Sequence, residues 1–153
     1  YQFQIIENAK VMARELLRKG YRLVTGGTDN HLMLIDLRSR NLTGKDATLI
    51  LHKAGITVNK NLIPYDTLPP SQTSGIRLGA PAMTSRGMKE KEMEEIVSII
   101  DEALTHGSDD AYLEKVRQRS LALTARFPLH EAMGDAYLVG GNPVCNGCDK
   151  RNG

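Results

Sequence analysis

Tyr21-Arg22-Leu23-Val24-Thr25-Gly26-Gly27-Thr28-Asp29-Asn30-His31-Leu32-Met33-Leu34-Ile35-Asp36-Leu37 is the stretch that decides the fold. Tyr21 to Val24 reads as a short strand. Gly26 to Asn30 is dense in residues that supply left-handed backbone and local side-chain hydrogen bonds, so it reads as a turn. His31 to Leu37 is the clearest strand of the chain. Leu32, Met33, Leu34 and Ile35 place apolar groups on both of its faces, so it is expected to be covered on both sides. Strand, glycine-rich turn and strand together read as an antiparallel pair.

Upstream, Ile5, Ala9, Met12 and Leu16 recur every three or four residues, which is one face of an amphipathic helix. Gly20 is its natural stop. Downstream, Thr43 can cap a helix with Asp46 in the first turn. Ala47, Ile50, Leu51 and Ala54 form its buried stripe, and Gly55 ends it. Ile56-Thr57-Val58 reads as a short strand. Residues 61–74 hold Pro64, Pro69 and Pro70 and form a long loop, of a kind that is often functional. Gly75-Ile76-Arg77-Leu78-Gly79 alternates and is bracketed by glycines, as a strand would be. A helix from about Lys89 carries Met93, Ile96, Val97, Ile100 and Leu104 inward. Ser108 is the expected cap of a last helix with Leu113, Val116, Leu123 and Phe127, stopped by Pro128. The order α-β-β-α-β-β-α-α is not a strict βα alternation. The expected class is therefore α+β, a small antiparallel or mixed sheet with helices packed on it. There is no internal repeat. Residues 1–128 read as one domain, and residues 129–153, with little periodicity and several glycines, as a poorly ordered tail.

The bulk numbers exclude more than they assign. The chain has 153 residues, 41% hydrophobic and 25% charged, which fits one soluble domain with a real core. A net charge of +2, from 20 basic against 18 acidic residues, gives no electrostatic case for nucleic acid or a membrane surface. No apolar run approaches the roughly 20 residues of a membrane span. Tyr1-Gln2-Phe3-Gln4 lacks the basic-then-apolar start of a signal peptide. Two cysteines make no disulfide framework, so a reducing, cytoplasmic setting is expected. The chain begins without Met inside a helical pattern, which reads as a piece of a longer polypeptide.

Common catalytic signatures are absent. Gly44-Lys45 resembles the end of a phosphate-binding loop, but Ser39 stands where the first glycine should be and Asp46 where Ser or Thr should be. There is no His-Glu-x-x-His and no Gly-x-Ser-x-Gly. His31, His52, His106 and His130 are scattered and read as structural or exposed. Cys145-Asn146-Gly147-Cys148 has half the ligands of a zinc site and no second pair, so no metal is expected.

Three segments carry a resemblance. They are Val24-Thr25-Gly26-Gly27-Thr28-Asp29-Asn30-His31-Leu32 running into Ile35-Asp36-Leu37, then Gly55-Ile56-Thr57-Val58-Asn59-Lys60-Asn61, then Thr73-Ser74-Gly75-Ile76-Arg77-Leu78-Gly79-Ala80-Pro81-Ala82-Met83-Thr84-Ser85-Arg86-Gly87. In content, order and separation they resemble serine hydroxymethyltransferase, over residues 1 to about 128. The resemblance implies the C-terminal small domain of an aspartate-aminotransferase-like (fold type I) enzyme that works as a homodimer or dimer of dimers. It implies interconversion of serine plus tetrahydrofolate with glycine plus 5,10-methylenetetrahydrofolate, using pyridoxal phosphate. The cofactor lysine of that family lies in a large domain without counterpart here, so this chain alone is expected to be inactive. Arg77 of the Ser-Gly-Ile-Arg string matches the ligand of the substrate carboxylate. Asn61 matches the residue at the pterin of folate, Lys60 suits its glutamate tail, and Pro69, Pro70 and Ser71 fit the same site more loosely. Arg86 is assigned to structure or an interface. The Val58-Asn59-Lys60-Asn61 string argues against an aminotransferase of the same fold. A stand-alone, non-catalytic binding or assembly module is the competing class.

Overall fold

A computed structural model describes residues 1–128. Helix α1 (Gln2–Arg18) buries Ala9, Met12 and Leu16, the stripe its spacing predicts. It ends at Gly20, whose φ of +82° is a conformation that favours glycine. Strands β1 (Arg22–Leu23) and β2 (Leu32–Asp36) pair antiparallel, with Leu23 opposite Ile35. Helix α2 (Gly44–Lys53) follows, and Thr43 caps it: its hydroxyl accepts the backbone N–H of Asp46 at 3.0 Å. Strands β3 (Asn59–Asn61) and β4 (Gly75–Gly79) are antiparallel neighbours, and β4 also pairs antiparallel with β2. Helices α3 (Pro81–Ser85), α4 (Glu90–Thr105) and α5 (Asp110–Ala125) complete the described chain.

The four strands run in the order β1-β2-β4-β3, all antiparallel. The architecture is α+β, as the element order implies. Met33, Ile35, Ile76 and Leu78 point to one side and join α1, α2, α4 and α5 in a single core, where Ile35 and Ile76 have no exposed surface. Alternation sends Leu32, Leu34, Arg77, Asn59 and Asn61 to the other side.

Four expectations need correction. The ladder of β3 falls on Asn59-Lys60-Asn61 and not on Ile56-Thr57-Val58. The pairing with β4 runs only from Asn61 opposite Gly75 to Asn59 opposite Arg77; the β-branched Val58 is buried in the core as part of a connector. Strand β2 is covered on one side only: Met33, Ile35 and Leu37 are buried while Leu32 and Leu34 stay half-exposed, because the described helices pack on a single face. The last helix is capped by Asp109, whose carboxylate accepts the N–H of Tyr112 at 3.0 Å, one residue beyond Ser108. A short helix, α3, stands where no element was expected; Pro81 starts it, and the buried Thr84 hydroxyl donates to Ala80 O at 2.8 Å. Residues 129–153, with Cys145, Cys148 and His130, lie outside the described residues.

Candidate functional site

The face of the sheet turned away from the helices gathers the polar side chains of four strands. Arg77 is central on it, opposite Leu34 in β2 and Asn59 in β3. Its side chain is exposed, and it has neither a side-chain hydrogen bond nor an ion pair among the described residues. The other described arginines are engaged. Arg38 grips Asp36 through two nitrogens, at 3.0 and 2.8 Å, and Arg22 adds a third contact at 3.4 Å. Hydrogen bonding to Arg38 holds the Asp36 carboxyl below its ordinary range, against the opposing effect of burial. Arg86 donates to the carbonyls of Phe127 at 2.7 Å and Thr124 at 3.0 Å, so it binds α3 to the end of α5, the structural part expected of it.

Beside Arg77 lies an open cavity of about 460 Å³. Arg77 and Asn61 line it together with the turn Thr25 to Asn30 and Leu34. That turn is folded by its own side chains: Thr28 Oγ1 donates to Leu32 O at 2.6 Å, and Asn30 Oδ1 accepts the N–H of Leu32 at 2.8 Å. A second cavity of about 560 Å³, mostly apolar, meets Arg77 from the other side and includes Asn59, Met83 and Ile96. Arg77 is the residue common to both cavities that carries a charge and lacks a partner among the described residues.

The site residues expected from sequence separate into two groups. Arg77 and Asn61 share one cavity; the Asn61 amide also donates to Leu62 O at 3.1 Å. Lys60 projects from the opposite side of β3, and its ammonium donates to Ser71 O at 2.7 Å. Pro69, Pro70 and Ser71 are exposed on the outer part of the loop, with Pro69 O accepting from Gln72 and Thr73 N–H at 2.9 and 3.0 Å. Gly75 and Gly79, the glycines that bracket Arg77, give room to the protein itself. A Cβ at Gly75 would lie 2.6 Å from Ile63 Cγ2, and one at Gly79 would lie 2.9 Å from Leu32 Cδ2. Sequence reasoning missed Asn59, the direct cross-strand neighbour of Arg77, and the side chains of the Thr25–Asn30 turn as a wall. The antiparallel register carries the first signal, and register is not visible until strand limits are known.

Among the described residues no group of three or more His, Cys, Asp or Glu side chains could hold a metal ion. His106 stacks on Tyr112 at 3.9 Å, and His31 and His52 are exposed. None of the described helices is long and apolar enough to cross a membrane. Every described lysine is exposed except Lys19, which is half-buried and pairs with Asp101 at 3.1 Å. None is enclosed as a lysine bound covalently to a carbonyl cofactor needs to be.

The family model for serine hydroxymethyltransferase matches residues 1–100. The chain belongs to the serine hydroxymethyltransferase family. A serine hydroxymethyltransferase of Myxococcus xanthus (strain DK1622) is 54% identical over 130 residues, which cover 85% of this chain and 31% of that relative. The chain thus spans about a third of the length of the curated hydroxymethyltransferase it matches. The matched part contains all four strands, the open sheet face and Arg77.

Proposed function

We propose that this chain is the C-terminal small domain of a serine hydroxymethyltransferase, supplying the substrate-carboxylate contact and part of the folate site. The complete enzyme interconverts serine plus tetrahydrofolate with glycine plus 5,10-methylenetetrahydrofolate, as a homodimer or dimer of dimers. The observation that carries the reading is Arg77, unpaired among the described residues and exposed on the open sheet face of a family member.

Serine and glycine share an α-carboxylate. A planar guanidinium takes both of its oxygens at once, which an ammonium cannot do. Two-point contact fixes rotation of the substrate about Cα, so the bond to be broken is held in one orientation. Arg77 can do this because no carboxylate of its own domain among the described residues competes for it. Asn61, in the same cavity, offers a donor and an acceptor to the mixed edge of a pterin ring. Lys60, with Pro69, Pro70 and Ser71, is assigned to the glutamate tail of folate by the family resemblance; these residues lie outside the cavity that Arg77 and Asn61 share. Pyridoxal phosphate supplies the electron sink when bound. The family resemblance assigns its anchor lysine to another part of the complete enzyme, and this chain alone is expected to be inactive.

In the complete enzyme, Arg77→Lys keeps the charge and loses the fork. It is expected to weaken glycine and serine binding by about 2–5 kcal/mol, with the absorbance of bound pyridoxal phosphate unchanged. Equilibrium titration with glycine measures this. Near-normal glycine affinity would show that another residue holds the carboxylate.

A further inference from the structure

Strand β3 is a three-residue edge strand, paired to β4 alone. So short a ladder gives Asn61, at its end opposite Gly75, little sheet support. The loop that joins the two strands has little apolar anchorage: Ile63 is buried, while Leu62 and Tyr65 are exposed. It also contains two non-glycine residues in the left-handed region, Tyr65 at φ +57° and Thr73 at φ +56°. Something other than packing must hold it.

Asp66 does. Its carboxylate accepts four hydrogen bonds. One oxygen takes the backbone N–H of Ile63 at 3.2 Å and of Ser74 at 2.8 Å. The other takes the backbone N–H of Leu68 at 3.0 Å and the Ser74 hydroxyl at 2.6 Å. Ile63 lies two residues beyond Asn61, and Ser74 three residues before Arg77. One side chain therefore clamps the exit of β3 to the start of β4. Burial opposes the charge of Asp66, but the bonds from Ser74, Leu68 and Ile63 outweigh it and hold the carboxyl far below its ordinary range.

We infer that Asp66 is a positioning residue for substrate binding, its carboxylate setting the placement of Asn61 relative to Arg77. This rests on the reading above, in which these two residues bind folate and the substrate carboxylate. The rest of the loop has its own ties. Gly44 and Lys45 donate their N–H groups to Thr73 O and Gln72 O, both at 2.9 Å, and Lys60 holds Ser71 O. Loss of the Asp66 charge thus loosens the loop near Asn61 without unfolding the domain.

The test uses the complete enzyme with Asp66→Asn, Asn61→Ala and the double variant, titrated with tetrahydrofolate. Asn at position 66 keeps one acceptor and loses the charge. It is expected to weaken tetrahydrofolate binding roughly ten- to hundredfold, raising KM far more than it lowers kcat. In the Asn61→Ala background, Asp66→Asn should cost less than about twofold further, because both changes remove the same contact. Should Asp66→Asn fail to fold, Ser74→Ala removes one of the four donors, is expected to cost about threefold, and carries the same cycle. Wild-type affinity in Asp66→Asn, or a loss that multiplies in full with Asn61→Ala, overturns the positioning role alone. Absence of tetrahydrofolate binding by the unaltered enzyme overturns the proposed function, and this inference with it.

Discussion

Strand β4 has two faces with opposite demands. Ile76 and Leu78 look into the core, where Ile76 has no exposed surface, and Arg77 between them looks out from the open face without a partner among the described residues. The inner face is over-determined: Ile76 stands opposite Ile35 in β2 and joins one continuous cluster with the helices. The outer face holds half-exposed Leu32 and Leu34 and an exposed charge with no protein partner among the described residues. Two neighbouring residues of one strand therefore serve different ends. Folding uses the side on which every group is matched, and the proposed binding uses the side on which one charge has no protein partner among the described residues.

The comparison breaks most visibly if the two faces respond alike to truncation. Ile76→Ala leaves a cavity in a core with little room to collapse and is expected to lower the opening free energy of β2 and β4 amides by about 2–5 kcal/mol. Arg77→Ala, one residue away, should change it by less than about 0.5 kcal/mol. Native-state hydrogen exchange on Ile35 and Leu78 amides in the complete enzyme reads both. A comparable loss from Arg77→Ala would mean that Arg77 supports the fold.

The inner face was legible in the sequence because it is periodic. The helix stripes of α1, α2 and α4, the glycine stops and the alternation of β4 follow from spacing and local chemistry. The outer face was legible mainly through the three family strings, which single out Arg77 and Asn61 but not their neighbours. Asn59 stayed hidden because its place depends on a register one step away from the apolar Ile56-Thr57-Val58. Asp66 stayed hidden because its partners are backbone N–H groups, and any residue type supplies those. Gly44 resembles the end of a phosphate-binding loop only locally; its real constraint is tertiary and has no local signature.

Gly44 sharpens the comparison from the side of the helices. It is buried at the start of α2, and a Cβ there would collide with Thr73 Oγ1 and the Gly75 carbonyl oxygen. One of those atoms is backbone at the head of β4 and cannot rotate away. Gly44→Ala would also displace the N–H groups of Gly44 and Lys45 from Thr73 O and Gln72 O, which satisfy two donors at the helix start. The expected cost is about 1–3 kcal/mol, again by exchange on β4 amides. Unlike Ile76→Ala, it should also weaken glycine binding, because it shifts the strand that carries Arg77. A stability loss with unaltered glycine affinity would show that the β4 start moves without Arg77.

The smallest effect tests the open face by itself. Asn59 is exposed directly across from Arg77, on the same side of the sheet. Asn59→Asp keeps the size of the side chain and places a carboxylate where it can reach the guanidinium. Opposite charges at such a cross-strand position attract by about 0.2–1 kcal/mol, so the fold should be unchanged or slightly more stable. That same attraction has to be given up when a substrate carboxylate binds, and the added anion repels the incoming one. Glycine affinity should therefore fall by about 1.4- to fivefold, the binding equivalent of the cross-strand energy. The effect should shrink with added salt, since both charges are solvent-exposed and screened within roughly 10 Å at 0.1 M. Glycine titrations of the complete enzyme at low and high ionic strength read both. A fall in affinity that ignores salt would point to a changed shape of the site, and no fall at all would mean that Arg77 already faces away from Asn59 when substrate is held.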